Sequence, residues 1–444
     1  LMGDSPYLSE SAFAGNEALI SLEVLRDWGW LKQEALDDFL AQGKKTASWH
    51  SLAAYKAKLL WDMSHDPDLT IPWEPFRAFC EKNAYWLDDY ALFRAVRDFF
   101  GGRCWTEWPE DIRHHSREAL AQYGKELAGA VSHVKFMQYI FSRQWHDVRA
   151  YAAENGVSIL GDVPMFVAHN SADCWAHQDQ FDLDEAGNPS SVAGVPPDYF
   201  SADGQLWGNP LYDYQAMARD NYQWWTDRFR RMMDLVDEVR VDHFRGFAAY
   251  WAVPAGSETA KSGAWKDGPG LDLFRAVYQK IGRIRLVAED LGVITDDVCT
   301  LKDALHLPGM KVIQFHLKDR ADGRLAFDTE PDCIAYTGTH DNNTIRGWYE
   351  DDLTPSQQLH VRQMLGLSDE AAPQEIVGAL IAYTYCRRAE TVIIPMQDLL
   401  ALPSSGRMNT PGVADGNWHW QLKEGQTTFD IAHWLAKVCR ESGR

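Results

Sequence analysis

The sequence predicts an α/β protein built on a (β/α)8 TIM barrel with helical insertions. Three observations predict it: short apolar runs alternate with helix-sized intervals, most of these runs end on a carboxylate, and the first third of the chain is helical. A plain barrel takes about 250 residues, so a chain of 444 leaves room for insertions. We interpret residues 1–444 as one decorated barrel domain.

The helical part comes first. From about residue 17 to 155, large apolar residues recur at spacings of three and four, as Phe141, Trp145 and Val148 do. Asn155-Gly156 is a typical stop signal for the last of these helices. We assign residues 17–130 to a mainly helical insertion.

Six short apolar runs follow and predict strands, since helix-sized intervals separate them. Five carry a carboxylate at or just past the C-terminal end: Asp162, Asp242, Glu289, Asp341 and Asp398. Parallel barrel strands deliver these ends to one face, so we expect the carboxylates to converge in one pocket, although Asp is also common wherever a strand meets a loop. The predicted strands are 157–163, 238–243, 284–289, 310–315, 333–337 and 391–395.

The longest irregular stretch covers residues 167–214. It contains Tyr199, Phe200 and Trp207 and is too aromatic to be disordered. Loops longer than about 15 residues in compact proteins are usually functional, so we predict that this region lines a cleft.

Composition limits the partners. The chain has 43 Lys and Arg against 64 Asp and Glu, a net charge of −21, which disfavours nucleic acid and anionic membrane surfaces. The sequence has no run of about 18 apolar residues that would predict a membrane span. The seven cysteines are scattered singly without a C-x-x-C pair, so we expect reduced thiols and a cytoplasmic protein. Aromatic residues form 12% of the chain, which suits a large core or a sugar-binding cleft.

Two strand ends place a carboxyl group in a distinctive environment. Arg240 and Asp242 point to the same side of a strand, and the arginine keeps the carboxylate ionised, as a nucleophile requires. A buried structural ion pair is the alternative. Glu289 ends the apolar run 286–288, where low polarity raises the pKa of a carboxyl group and suits a proton donor. Its neighbour Asp290 fits an ordinary helix-capping acid.

A third motif, residues 337–344, contains His340 and Asp341, which offer a donor and an acceptor to adjacent hydroxyls of one ligand. Metal binding is the alternative use of these residues, but no H-E-x-x-H or H-x-H motif accompanies them, so we expect no metal. Paired carboxyl groups, one ionised and one protonated, are the working parts of glycoside chemistry. The residues alone therefore predict a carbohydrate-active barrel and leave hydrolysis and transfer both open.

The same residues resemble the amylomaltase or disproportionating-enzyme family, the 4-α-glucanotransferases of glycoside hydrolase family 77. The resemblance runs in order through nearly the whole chain. It is carried by Asp4-Ser5-Pro6-Tyr7, Gly161-Asp162-Val163-Pro164, Gly204-Gln205-Leu206-Trp207-Gly208-Asn209-Pro210, the segments around Asp242, Glu289 and Asp341, Pro395-Met396-Gln397-Asp398, and Arg407-Met408-Asn409-Thr410-Pro411-Gly412.

The resemblance implies a role for each matched position. Asp242 falls on the family's nucleophile, Glu289 on its acid/base and Asp341 on its third carboxylate. Arg240 would orient the nucleophile, and Tyr7 would stack on the transferred sugar. The implied substrate contacts are Tyr7, Ser5, Asp162, Gln205, Trp207, Arg240, His243, His340, Asp319 and Asn409.

The resemblance also implies an activity. An α-1,4-glucan or malto-oligosaccharide donor would pass a segment to the 4-hydroxyl of glucose or another malto-oligosaccharide, through a covalent glucosyl-enzyme and without a cofactor. The first two barrel strands would precede Leu1, and a plastid location is the alternative if a transit segment precedes the chain. An α-glucan hydrolase, which shares the chemistry, and a catalytically silent glucan-binding protein remain as other interpretations.

Overall fold

The computed structural model describes residues 4–45, 49–197, 202–319, 325–413 and 415–444, except for the side chains of Lys45, Lys318 and Asp319. The chain divides into two compact units. The first unit comprises residues 1–196, 206–239 and 250–285, and the second comprises residues 197–205, 240–249 and 286–444.

The helical first third is confirmed. After a 3-10 turn at Glu17–Leu19, α-helices run as far as Glu154, and Gly156 follows with a φ of 68°. Glycine adopts this left-handed φ without strain, which explains why the last helix ends there. The helices are α1 (Leu22–Asp27), α2 (Gln33–Lys45), α3 (Trp49–Ser64), α4 (Trp73–Phe99), α5 (Glu110–Arg113), α6 (Arg117–Glu126) and α7 (Ala128–Glu154).

The two longest of these helices carry much of the core of the helical part. Phe93 and Val96 on α4 and Met137 and Ile140 on α7 are fully buried, and a spacing of three places each pair on one helix face. Burying a large apolar side chain stabilises the fold by about 1.5–3 kcal/mol. Val148 near the end of α7 departs from the predicted apolar face, with 51% of its surface exposed.

All six predicted strands are present, each shorter than predicted. The run 310–315 changes most, because its second half forms a helical turn, and short apolar runs are compatible with either structure. The strands are β1 (Leu160–Val163), β2 (Ser191–Val195), β3 (Gln205–Pro210), β4 (Glu238–Val241), β5 (Ala249–Pro254), β6 (Ala264–Asp267), β7 (Leu286–Ala288), β8 (Gly309–Val312), β9 (Lys318–Asp319), β10 (Leu325–Ala326), β11 (Cys333–Tyr336) and β12 (Thr391–Ile393).

Further helices lie between and after these strands. No helix in the described ranges is both long and apolar enough to cross a membrane. The helices are α8 (Ala172–Ala176), α9 (Tyr214–Arg219), α10 (Gln223–Leu235), α11 (Gly270–Ile281), α12 (Asp296–Leu305), α13 (Ile313–His316), α14 (Ile345–Gly347), α15 (Pro355–Leu365), α16 (Pro373–Tyr385), α17 (Met396–Leu399) and α18 (Phe429–Glu441).

The second unit contains a series of neighbouring strands that positions the candidate site. β11 pairs in parallel with β8 on one side and with β12 on the other. The amide of Ala288 in β7 donates to the carbonyl of Pro308 beside β8 (2.9 Å), and the amide of Glu289 donates to the carbonyl of Val241 in β4 (3.1 Å). The strands β4, β7, β8, β11 and β12 therefore follow one another. A closed barrel of eight strands is not found among the described residues.

The sequence suggested that the stretch 167–214 is irregular, but the structure shows regular elements in it. It contains α8, β2 and β3, and β2 pairs antiparallel with β5 in a sheet of strand order β3-β2-β5-β6. Gly194 and Gly208 interrupt the two strands, so neither reads as an apolar run. Tyr199 and Phe200, predicted to line a cleft, lie outside the described residues.

Candidate active site

Asp242 directly follows β4, and its carboxylate is paired with Arg240. Arg240 Nη2 lies 2.9 Å from Asp242 Oδ1. One residue, Val241, separates them, so both side chains lie on one side, as alternation predicts. The cation favours the ionised form of the carboxylate. The Asp242 side chain keeps 27% of its surface exposed, so the pair leaves the carboxylate accessible.

Glu289 directly follows β7 and is hydrogen-bonded to the residues on both sides of Asp242. Its amide donates to the carbonyl of Val241 (3.1 Å), and its Oε2 accepts from the amide of His243 (2.9 Å). Its Oε1 accepts from the amide of Leu291 (3.1 Å). Two carboxyl groups 47 positions apart in sequence therefore lie at neighbouring strand ends.

The environment of Glu289 suits proton transfer. Burial raises the pKa of Glu289 to about 6, against the opposing effects of Arg240 and of the amides of Leu291 and His243. A carboxyl group with this pKa can donate and accept a proton near neutral pH. The sequence predicted this direction from the apolar run that precedes Glu289.

His243 is held in an unusual backbone conformation. Its φ is 49°, in the left-handed region that costs a residue with a side chain about 1–2 kcal/mol. In this conformation its amide donates to Glu289 Oε2. Burial lowers the pKa of His243 to about 3, and the neighbouring Arg245 acts in the same direction, so the imidazole is neutral. The predicted substrate contact thus also positions Glu289 through its backbone.

His340 and Asp341 lie on the loop after β11 and are held by a later segment. Asn409 Nδ2 donates to Asp341 Oδ1 (2.6 Å), and Arg407 Nη2 donates to the carbonyl of Asp341 (2.7 Å). His340 Nε2 lies 3.5 Å from Asp341 Oδ2, and its ring packs 5.3 Å from that of Trp418. Asn409, predicted as a substrate contact, therefore binds the third carboxylate. Sequence reasoning gave Arg407 and Trp418 no role.

Asp398 borders a cavity with His340 and Arg407, but none of the other four carboxylates lines that cavity, so the expected convergence is not met for Asp398. Only 1% of its surface is exposed. Its Oδ2 accepts from Thr337 Oγ1 (2.6 Å), and its Oδ1 accepts from the amide of Ile345 (2.8 Å). Burial raises the pKa of Asp398 to about 6. A position just past the C-terminal end of a parallel strand places a residue near a site, but it does not determine the direction of the side chain.

Asp290 makes a different contact from the helix cap that the sequence suggested. Its carboxylate pairs with Lys302 (2.8 Å) and accepts from the amide of Met310 (2.7 Å). The next helix begins only at Asp296, so Asp290 instead connects β7 to β8. A Cβ at Gly309 would lie 2.3 Å from an Asp290 oxygen, which explains glycine there.

The first unit holds four of the predicted substrate contacts. Tyr7 Oη donates to Asp162 Oδ2 (2.6 Å). The Oγ of Ser5 accepts from the amide of Tyr7 (3.3 Å), which closes a short turn. Trp207 lies on β3 with its ring 6.3 Å from that of Phe166. Tyr7 and Asp162 are thus brought together as a hydrogen-bonded pair.

All ten residues stay predictions as substrate contacts, and two of them make no contact described above. Gln205 begins β3 and is half-buried. Asp319 ends β9, and its side chain lies outside the described part of the chain.

The possibility of a metal site was considered for the residues that the structure describes. No cluster of three or more His, Cys, Asp or Glu in the described ranges could hold an ion. All seven cysteines are free thiols, as the sequence predicted.

The paired carboxyl groups define a class of protein. One is ion-paired with arginine and the other has a raised pKa, on strand ends of an α/β fold, which is the arrangement of glycoside chemistry. The chain belongs to glycoside hydrolase family 77, the 4-α-glucanotransferases, whose family profile matches residues 2–427. The resemblance found in the sequence motifs is confirmed.

Individual relatives agree. The chain is 40% identical to a 4-alpha-glucanotransferase of Synechocystis over 450 residues, covering 100% of this chain and 88% of the relative. It is 41% identical to that of Thermus thermophilus, covering 96% and 85%. Among solved structures, the amylomaltase from Streptococcus agalactiae in complex with acarbose matches with a TM-score of 0.91 at 31% identity, covering 99% of this chain and 89% of that one.

Proposed function

We propose that this chain transfers segments of α-1,4-glucan from a donor malto-oligosaccharide or starch chain to the 4-hydroxyl of glucose or another glucan. Membership of the 4-α-glucanotransferase family supports the activity. A relative solved with acarbose supports an oligosaccharide ligand. The observation that carries the proposal is the placement of Glu289, bonded to the residues on both sides of Asp242.

The first half of the reaction forms a covalent intermediate. Asp242 Oδ attacks the anomeric carbon while Glu289 gives its proton to the glycosidic oxygen. The bond to the reducing-end fragment breaks, and a β-linked glycosyl ester forms on Asp242. The raised pKa of Glu289 supports its role as the acid, and Arg240 keeps the nucleophile charged.

The second half returns the enzyme to its starting state. Glu289, now a carboxylate, takes the proton of the acceptor's 4-hydroxyl, and that oxygen displaces Asp242 from the anomeric carbon. Two inversions give the α-linkage again. The acceptor must outcompete water. An aromatic cleft wall favours the acceptor because it holds the sugar in place. Trp207 is our candidate for that wall.

Asp341 and His340 bind hydroxyls of the sugar that is transferred. Asn409 holds the Oδ1 of Asp341 and Arg407 holds its carbonyl, so the carboxylate is kept in one orientation for the substrate. Such a contact accelerates the reaction when it strengthens as the ring flattens in the transition state. Tyr7, whose hydroxyl donates to Asp162, would stack on a sugar ring of the substrate.

The order of five strands supports a barrel architecture. β4, β7, β8, β11 and β12 follow one another, and carboxylates lie past the ends of β4, β7 and β11. We propose that these strands belong to a TIM barrel whose C-terminal face carries the site.

Incubation with maltotriose alone tests the proposed activity. We expect glucose together with a ladder of longer oligosaccharides, and a constant number of reducing ends, because each bond broken is replaced by a new one. Glucose and maltose with rising reducing ends would instead establish the hydrolase. Wild-type protein that binds maltotriose without changing it would support the silent glucan-binding protein.

The pH profile should report the proton on Glu289. Its raised pKa means that the acid form is lost as the pH rises through about 6, so kcat/KM for maltotriose should fall above that pH. Initial rates between pH 4.5 and 8.5 measure this limb. A flat profile across this range would contradict an acid role for Glu289.

Replacing Arg240 with glutamine should change the pH at which kcat/KM for maltotriose falls. Arg240 lowers the pKa of Glu289, so its removal raises that pKa and shifts the fall in kcat/KM to higher pH. The rate itself should also drop, since Asp242 loses its cation. An Arg275→Gln variant, altered in an exposed surface ion pair with Asp272, serves as the control and should keep the wild-type profile.

A further inference from the structure

We propose that Asp398 is a positioning residue for the transfer reaction, because its one carboxylate holds both ends of the loop that carries His340 and Asp341. We call residues 337–345 the acid loop. The inference rests on the function proposed above, since it assigns Asp341 a part in that reaction.

The two bonds from Asp398 reach opposite ends of the acid loop. Oδ2 accepts from the hydroxyl of Thr337, the first residue, at 2.6 Å, and Oδ1 accepts from the amide of Ile345, the last residue, at 2.8 Å. All three residues are buried, with at most 1% of their surface exposed. Hydrogen bonds to a carboxylate shielded from water are strong and directional. The span between the loop ends is therefore fixed by a single side chain.

A second side chain holds the same loop from the opposite strand. Gln314, just past β8, donates through Nε2 to the carbonyls of Thr337 (3.0 Å) and Asn343 (2.9 Å). β8 and β12 are the two neighbours of β11, from which the acid loop emerges. A Cβ at Gly338 would lie 2.9 Å from Gln314 Nε2, so glycine leaves room for this contact. The loop is thus bonded from both sides.

Side-chain packing alone does not hold the acid loop. Thr339, His340 and Asn342 line a cavity of about 220 Å³ together with Arg407. Where a cavity borders a segment, the contacts that would resist its movement are missing on that side. Hydrogen bonds therefore supply much of the restraint: Asp398 and Gln314 act at the ends of the loop, and Asn409 and Arg407 hold Asp341 in its middle.

Burial of Asp398 has an energetic cost that stability alone does not explain. Burial opposes the charged form of Asp398 and raises its pKa to about 6. When buried charged or polar partners are replaced by apolar groups of similar shape, the protein is often as stable as before or more stable. A carboxylate at this position is explained by its two oxygens, which hold the hydroxyl of Thr337 and the amide of Ile345 at a fixed separation.

A small displacement of Asp341 should be costly for catalysis. Misplacing a catalytic group by about 1 Å can reduce the rate about a hundredfold. Asp341 lies four residues from each end of the acid loop, at Thr337 and Ile345, so release of both ends would move it. We expect the effect on kcat rather than on KM, because Asp341 contributes in the transition state.

The test is a double-mutant cycle with maltotriose disproportionation as the assay. Asp398→Ala should lower kcat about a hundredfold, with KM changed by less than about threefold. In an Asp341→Asn background, the same substitution should lower kcat by less than about threefold, because the group through which it acts is already lost. Asp398→Asn should stay within about threefold of the wild type, since asparagine can accept from Ile345 and donate to Thr337 Oγ1.

Equal losses from Asp398→Ala in both backgrounds would overturn the inference, because they indicate general damage to the fold. An unchanged kcat in Asp398→Ala would overturn it as well. If that variant does not fold, Thr337→Val replaces it: the isosteric change removes one bond and should lower kcat about fivefold, again only when Asp341 is present. Wild-type protein without transfer activity would count against the proposed function instead.

Discussion

Replacing Asp242 with alanine should give the largest loss of activity of any single substitution, a fall in kcat of about 10⁴-fold or more. The variant lacks the oxygen that attacks the anomeric carbon, while Glu289 and the sugar-binding residues remain. Initial rates of glucose release from maltotriose measure the effect. Asp272→Ala, which removes a carboxylate 76% exposed on α11, is the matched control and should retain wild-type rates.

Azide separates loss of the nucleophile from loss of the fold. The alanine leaves space beside Arg240, where a small anion can enter and attack from the side that Asp242 occupied. With a donor that carries a good leaving group, azide should restore turnover and give a β-glycosyl azide, because only one inversion occurs. An α-glycosyl azide, or a variant within about tenfold of the wild type without azide, would contradict the assignment.

Replacing Glu289 with glutamine should give the second large effect, and its size should depend on the donor. With maltotriose the leaving oxygen needs a proton, so kcat/KM should fall about 10³-fold. With α-maltosyl fluoride the leaving group departs as fluoride without protonation, so release of fluoride in the first turnover should fall by less than about tenfold. Rapid-mixing measurements of fluoride release compare the two donors.

The contrast between donors is the informative result. Equal losses with maltotriose and with the fluoride would mean that Glu289 holds the site together and does not supply a proton. Because Glu289 Oε2 accepts from the amide of His243 and Oε1 from that of Leu291, unfolding temperatures should accompany the kinetics. A variant that unfolds at the wild-type temperature and still shows equal losses would remove Glu289 from the mechanism.

The central part of the site could be predicted because its determinants are local. Arg240 and Asp242 face the same side through strand alternation, which is visible in four residues of sequence. The raised pKa of Glu289 follows from the apolar strand that leads to it. Strand periodicity and parallel order then explain why Asp242 and Glu289 lie together, since strand ends gather at one edge.

The residues that hold Asp341 could not be predicted in this way. Arg407 and Asn409 reach Asp341 across 66 and 68 positions, and Asp398 reaches Thr337 across 61. No periodicity connects such distances, because each contact depends on which strand neighbours which and on the direction of one side chain. Asp398 shows this most clearly, since the sequence predicted its position after β12 but not the direction of its side chain.

The antiparallel sheet was missed for a different reason. β2 and β3 are short, contain glycine and are stabilised by pairing with other strands, not by an apolar pattern of their own. The helical third, by contrast, was predicted well because its 3.6-residue periodicity persists over more than 100 positions, from Glu17 to Glu154. Patterns that repeat along the chain can be read from sequence, whereas pairing between distant short strands cannot.

Trapping the covalent intermediate tests the central claim, a double displacement through Asp242, most directly. A 5-fluoro-α-maltosyl fluoride carries a good leaving group for the first step, while the ring fluorine slows both steps, so the glycosyl-enzyme should accumulate. Intact-mass and peptide analysis should then show one glycosyl adduct, on the peptide that contains Asp242. An adduct on Asp341 or Glu289, or turnover that gives only β-configured products without any adduct, would contradict the mechanism.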